Sequence, residues 1–225
     1  MSTSQNKNHK HKFFMSLALQ QAMLNLGNTN ENPSVGCTIT KNNTLISVGN
    51  TGFNGRPHAE QNAIDNSREK VANADLYVTL EPCSNYGKTP PCVKEIIKNK
   101  IKNVYFSILD PDFRSRDKSS KKFKEFNIKV KKGIFSKEIK EFYKSYILHK
   151  ESKLPFVTCK LAVSKDFFTI NKNKKWITNK YSRGRVHLMR SKHDVIITSS
   201  ETIIKDNPFL NCRINGLEKT TPAKI

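Results

Sequence analysis

Three short groups in this chain, His58-Ala59-Glu60, Pro82-Cys83 and Thr89-Pro90-Pro91-Cys92, together supply one imidazole, two thiols and one carboxylate. One nitrogen and two sulfurs suffice to hold a zinc ion and leave a fourth position for water. That is the pattern of a catalytic zinc, whereas a structural zinc takes four protein ligands. Zinc lowers the pKa of its bound water toward neutrality, so a nucleophile is available at physiological pH. Glu60 is not needed as a ligand, and a carboxylate so placed can take a proton from that water and pass it to a leaving group. The chemistry expected is hydrolysis, with His58, Cys83 and Cys92 as metal ligands and Glu60 as the catalytic residue.

These residues need elements to position them. Pro57 reads as the first residue of a helix, where the missing N–H costs nothing, and His58 and Glu60 converge only if the metal lies off that helix end. Thr89 reads as the N-cap of a second helix with Cys92 in its first turn, where the dipole favours a thiolate. The β-rich run 74–80 delivers Cys83 at a strand end, and strand ends facing helix N-termini are where open α/β sheets build sites. Along the chain, helices are expected over 13–26, 57–67, 90–99, 118–126 and 136–149, with strands over 35–40, 44–50, 74–80, 102–108 and 128–132. Strands alternating with helices imply a three-layer α/β sandwich with a mostly parallel sheet. Residues 1–12 read as a disordered basic tail, 13–150 as the zinc domain and 151–225 as a second, partial domain.

Composition sets the outer bounds. The 225 residues, 36% hydrophobic and 26% charged, allow one or two domains. No run reaches the roughly 20 apolar residues that cross a bilayer, and the N-terminus lacks the apolar stretch of a secretory signal, so no membrane partner is expected. Five cysteines, two of them assigned to metal, indicate a reducing cytoplasm without disulfides. Cys37, Cys159 and Cys212 are read as structural. The formal charge of +21 invites a nucleic-acid reading, but lysine is spread along the whole chain rather than interleaved with aromatics, so nucleic acid is not the expected partner. A homo-oligomer stays open.

The His-x-Glu…Pro-Cys…Cys pattern is the signature of zinc-dependent nucleobase deaminases. Eight residues, Ser84 to Pro91, separate the two cysteines, where nucleic-acid deaminases usually place two. Pro82-Cys83-Ser84-Asn85-Tyr86-Gly87-Lys88-Thr89-Pro90-Pro91-Cys92 closely resembles the bifunctional riboflavin-biosynthesis deaminase–reductase family, departing only at Asn85, where the family usually has His. Asn32-Pro33-Ser34-Val35-Gly36-Cys37 and Gly55-Arg56-Pro57-His58-Ala59-Glu60 match it too. The resemblance implies a cytidine-deaminase-like α/β/α sandwich and deamination of a phosphorylated diaminopyrimidinone. It implies Asn32 as a ring contact, and Lys88 and Thr89 are candidates for the substrate phosphate, since a cation and a helix N-terminus both favour an anion. The loop after Asp110-Pro111-Asp112 departs from the family at Phe113, Asp117 and Ser119.

From Lys153 onward the chain resembles the family's reductase half, an α/β segment similar to dihydrofolate reductase. Residues 155–162 match its first strand and 198–208 a cofactor-side strand-turn-helix. The resemblance implies Trp176, Arg190, Leu210 and Arg213 as substrate contacts, with Ala162, Thr202 and Asp206 near NADPH. Only residues 154–225 remain after Lys153, whereas a complete reductase calls for about 200 residues on ordinary domain sizes. NADPH is therefore expected only with a complete reductase domain, and no reductase activity is expected here. Two other readings stay open: a nucleoside or tRNA deaminase, and a non-catalytic zinc or RNA-binding remnant.

Overall fold

The computed structural model describes residues 3–87, 89–169 and 176–225, and the chain divides into two compact units, Met1–Phe156 and Val157–Ile225. The first runs α1 (Thr3–Leu24), β1 (Gly36–Lys41), β2 (Thr44–Asn50), α2 (Ala59–Asp65), β3 (Asp75–Leu80), α3 (Cys92–Lys98), β4 (Asn103–Ile108), α4 (Ser119–Glu125), β5 (Lys129–Lys132), α5 (Ser136–Phe142) and α6 (Lys144–Ser152). Its five strands lie in the order β2-β1-β3-β4-β5.

Successive side chains of a strand face opposite ways, and here both faces are covered. Leu76 and Val78 of β3 pack with Ala59, Ala63, Val93, Ile96 and Phe123 from α2, α3 and α4. Tyr77, between them, packs instead with Phe14, Met15 and Ala18 of α1 and Ile139 of α5. The result is the three-layer α/β/α sandwich of the cytidine-deaminase type. Each fully buried aliphatic side chain contributes roughly 1.5–3 kcal/mol relative to exposure. Two glycines set how closely the helices approach. A Cβ added at Gly36 would stand 1.8 Å from the Ala18 carbonyl oxygen of α1, and one at Gly49 2.3 Å from the Ala63 nitrogen of α2.

Three expectations are corrected. The sheet is mixed, because β1 pairs antiparallel with both β2 and β3, while β3–β4 and β4–β5 are parallel. The local cause is Asn42 and Asn43, both at positive φ (49° and 67°). They form a two-residue turn whose backbone suits strand twist and which asparagine tolerates, so β2 folds directly back on β1. Secondly, α1 starts at Thr3, within the stretch read as a disordered tail. His11 docks there: its Nδ1 lies 2.9 Å from the Tyr77 hydroxyl, and its ring centroid lies 4.5 Å from that of Tyr105. Thirdly, the helix expected over 136–149 is interrupted at Tyr143. Its buried hydroxyl donates to the Ser34 carbonyl at 2.9 Å and sits 2.7 Å from the Thr79 hydroxyl.

The second unit contains α7 (Lys180–Arg190), β6 (Val195–Ile196), α8 (Ser200–Asp206) and β7 (Ala223–Lys224), with β6 and β7 parallel. Both helices are capped by a side chain, Asn179 accepting from the Ser182 amide and Ser199 from the Thr202 amide. Residues 155–162, expected as a first reductase strand, carry no sheet pairing. A strand needs a neighbour's row of amides and carbonyls, and the described residues of this unit pair only through two residues each of β6 and β7. No helix among the described residues is long and apolar enough to cross a membrane.

Candidate active site

The loop after β2 leads through the cis Arg56–Pro57 bond into α2. The helix begins at Ala59 with His58 as its N-cap residue in extended conformation, so Pro57 precedes the helix rather than opening it. His58 is thereby aimed past the helix end, and Glu60 sits in the first turn, 4% exposed. Across the site, α3 begins at Cys92 itself, with Pro91 in the capping position. Thr89 does not cap it; its hydroxyl instead accepts from Arg56 Nη1. Cys83 lies three residues beyond β3, where the Cys92 amide donates to its sulfur at 3.3 Å and the Val93 amide to its carbonyl at 3.2 Å.

The candidate ligand atoms of His58, Cys83 and Cys92 all lie within 4.8 Å of one another. His58 Nδ1 is 3.1 Å from Cys92 Sγ and 3.5 Å from Cys83 Sγ. Zinc–sulfur bonds of about 2.3 Å and zinc–nitrogen bonds of about 2.0 Å fit such a triangle, and the donor set is the nitrogen and sulfur set that zinc prefers. The Cys83 thiol is lowered to about 4, first by the hydrogen bond shared with Cys92, then by His58. Cys92 is raised by the same shared bond and by burial. A dication binding here would displace the thiol protons, since cysteine ligates as thiolate. Burial alone would depress His58, but the Cys83 sulfur and the Glu60 charge outweigh it and raise it. Burial also raises Glu60, the direction that suits a proton carrier.

Of these groups, with Cys92 buried behind them, His58, Glu60 and Cys83 line a cavity of about 250 Å³. Asn32 stands on its wall and packs over Gly55, where a Cβ would meet the Asn32 amide nitrogen at 2.2 Å. Thr89 is on the rim, and Lys88 lies outside the described residues. Sequence reasoning missed the far wall. Glu81, 3% exposed, accepts from the amides of Asp117 (2.9 Å), Ser119 (3.1 Å) and Asp110 (3.4 Å) and from the Ser119 hydroxyl (2.7 Å). It thus pins the loop 110–119. Asp110 accepts from the Asp112 amide at 3.0 Å and the Tyr146 hydroxyl at 3.3 Å. It is pushed up to about 6, first by burial and further by the charges of Asp112 and Glu81. The only available signal was the pairing of two acids in Asp110-Pro111-Asp112.

The second unit gathers some of its expected residues. Arg190 Nη1 donates to the Asn211 carbonyl at 3.2 Å, and Arg213 Nη1 lies 3.4 Å from Asn211 Oδ1. Leu210, buried beside them, has φ +51°. Trp176 carries the Arg183 guanidinium 4.8 Å from its ring. Of the residues expected near NADPH, Ala162 lies in the unpaired segment and Asp206 ends α8. Thr202 bonds with Ser199, 3.0 Å between hydroxyls. These contacts are internal to the helix cap.

Residues 8–108 match the cytidine and deoxycytidylate deaminase zinc-binding region, and residues 155–225 match the RibD C-terminal domain. Among curated proteins, riboflavin biosynthesis protein RibD of Aquifex aeolicus is 36% identical over 216 residues, covering 95% of this chain and 60% of that protein. Among solved structures, the chain is similar to the diaminohydroxyphosphoribosylaminopyrimidine deaminase/5-amino-6-(5-phosphoribosylamino)uracil reductase of Thermotoga maritima. That match has a TM-score of 0.88 at 35% identity and covers 97% of this chain and 63% of that one. Acinetobacter baumannii RibD gives a TM-score of 0.85 at 31% identity, over 96% and 63% of the two chains. The chain therefore spans about 60% of the length of these relatives.

Proposed function

Given that the chain belongs to the RibD family of riboflavin biosynthesis proteins, we propose that its first unit hydrolytically deaminates 2,5-diamino-6-ribosylamino-4(3H)-pyrimidinone 5′-phosphate to 5-amino-6-ribosylaminouracil 5′-phosphate and ammonia. The observation that carries this reading is the convergence of His58, Cys83 and Cys92, with His58, Cys83 and the buried carboxylate of Glu60 lining one cavity. His58, Cys83 and Cys92 would hold zinc, which when bound supplies Lewis acidity and a water nucleophile at neutral pH.

The protein's own groups do the rest. Glu60 takes one proton from the attacking water and gives it to the ring nitrogen, then takes the proton left on the newly bonded hydroxyl and gives it to the leaving amine. A bond forms between the water oxygen and the amine-bearing ring carbon, the carbon–nitrogen bond breaks, and ammonia departs. Asn32, on the cavity wall, orients the ring. Thr89 and Lys88 are assigned to the phosphate end. The partner is a small phosphorylated pyrimidine, and the compartment is the cytoplasm. NADPH chemistry belongs to a complete reductase domain and is not assigned to residues 157–225.

The test is Glu60→Gln, assayed for ammonia release alongside zinc content. Zinc should stay bound while turnover falls roughly 10²- to 10⁴-fold, the usual worth of a positioned acid–base group. Turnover at the wild-type level would remove Glu60 from the mechanism.

A further inference from the structure

The segment that carries Cys83 also grips the opposite wall of the cavity. Besides Glu81, Asn85 reaches across, its Nδ2 donating to the Arg114 carbonyl. Asn85 stands where the resembled family has His, and the loop it holds is the one altered at Phe113, Asp117 and Ser119.

Lys118 Nζ donates to the same carbonyl at 2.7 Å, so two side chains hold the backbone from which the Arg114 side chain extends. Its Nε and Nη2 donate to Asp112 at 2.9 and 2.6 Å, and Lys150 Nζ lies 3.6 Å from the same carboxylate. Asp112, Arg114, Lys150 and Asn85 all line the cavity. Arg114 and Lys150 bring two cations to a wall that also carries the carboxylates of Glu81, Asp110 and Asp112. Arg114 Nη1 has no acceptor among the described residues, and the planar guanidinium fork matches phosphate oxygens in geometry as well as charge. Arg114 is largely exposed, its side chain 68% accessible, so a ligand reaches it without displacing protein.

We propose that Arg114 and Lys150, gathered on Asp112 and positioned by Asn85, clamp the phosphate of the substrate. Asn85 is then a positioning residue that sets preference for phosphorylated ligands by acting through Arg114. This inference rests on the deaminase reading above and adds two further groups to the anionic end there assigned to Thr89 and Lys88.

The test is calorimetric titration of the zinc-loaded full chain with 5-amino-6-(5-phosphoribosylamino)uracil and with its dephosphorylated ribonucleoside. The wild type should prefer the phosphorylated ligand. Arg114→Ala should cut that preference about tenfold, the scale of one charge-assisted hydrogen bond, and Asn85→Ala should cut it several-fold. The double variant should fall no further than Arg114→Ala alone, since Asn85 acts through Arg114. Equal weakening of both ligands, or an unchanged preference in Arg114→Ala, overturns the clamp. A wild type that binds both ligands alike also overturns it. A wild type that binds neither sinks the deaminase reading and the clamp with it.

Discussion

Glu81→Gln asks whether one buried carboxylate holds the wall of the site. Glu81 is 3% exposed and receives four hydrogen bonds, two from Ser119, which is itself fully buried. With Gln, one oxygen remains for the two Ser119 donors, while an NH₂ group turns toward the amides of Asp117 and Asp110. The Asp110 contact is long at 3.4 Å, so the Asp117 amide at 2.9 Å bears most of the loss. A buried donor left without an acceptor costs about 1–3 kcal/mol, and the Ser119 bonds weaken from the charged range of about 1.5–3 toward about 0.5–1.5 kcal/mol each. Relief from burying a charge offsets part of this. The net expectation is about 2–3 kcal/mol, against a typical domain stability of about 5–15. Urea unfolding followed by circular dichroism measures the loss, and amide exchange at Asp117 and Ser119 locates it. A change below about 0.5 kcal/mol, the range of an ordinary surface substitution, with both amides as protected as in the wild type, would refute the anchoring role.

Two further perturbations test the surroundings. Asp110, raised to about 6, holds its proton more tightly folded than in the unfolded chain, where a pKa near 3.9 applies, so its contribution to stability is lost as pH rises from about 4 through 6. Asp110→Asn keeps the accepting oxygen and removes that loss, so it should gain on the order of 1 kcal/mol over the wild type at pH 7.5 and almost nothing at pH 4; the same difference at both pH values would contradict the assignment. Gly49→Ala forces β2 and α2 apart, because the new Cβ would lie 2.3 Å from Ala63 N and 2.4 Å from Ala59 O. It should destabilise by about 1–3 kcal/mol and, since α2 begins just after His58, weaken zinc retention on dialysis; wild-type values in both measurements would show that the approach is not tight.

The ligand triad is legible in the sequence because each member sits beside a local signal: Pro57 before His58, the β-rich run before Cys83, and the proline pair before Cys92. Those signals place elements well and their ends less well, which is why Pro57 and Thr89 fall outside the helices they were expected to open and cap. The far wall is not legible. Glu81 and Asn85 take as partners backbone groups about thirty positions away, and a backbone amide leaves no residue pattern to read. The start of α1 fails for a related reason: a polar run becomes part of the fold only because His11 meets Tyr77 and Tyr105, a tertiary contact. In the second unit, a strand-like run was read without the neighbour a strand requires.

The charge of +21 looks different once its lysines have positions. β5 is the outer strand of the sheet, and Lys129, Lys131 and Lys132 are exposed along it. An outer strand offers unpaired backbone groups to other chains, and lysine is a common way to discourage such pairing. Lys132 also closes an ion pair with Asp117, in the loop held by Glu81. Charge spread this way raises the local concentration of any anion, but it acts through a field that salt screens within about 10 Å at ordinary ionic strength. It cannot tell one phosphate ester from another. Discrimination requires cations in contact with the ligand, and among the described cavity-lining residues these are Arg56, Arg114 and Lys150. On the proposed reading, the overall charge would bear on how fast a phosphorylated ligand arrives, and selection would fall to Arg56, Arg114 and Lys150, which are held by Thr89 and Asp112.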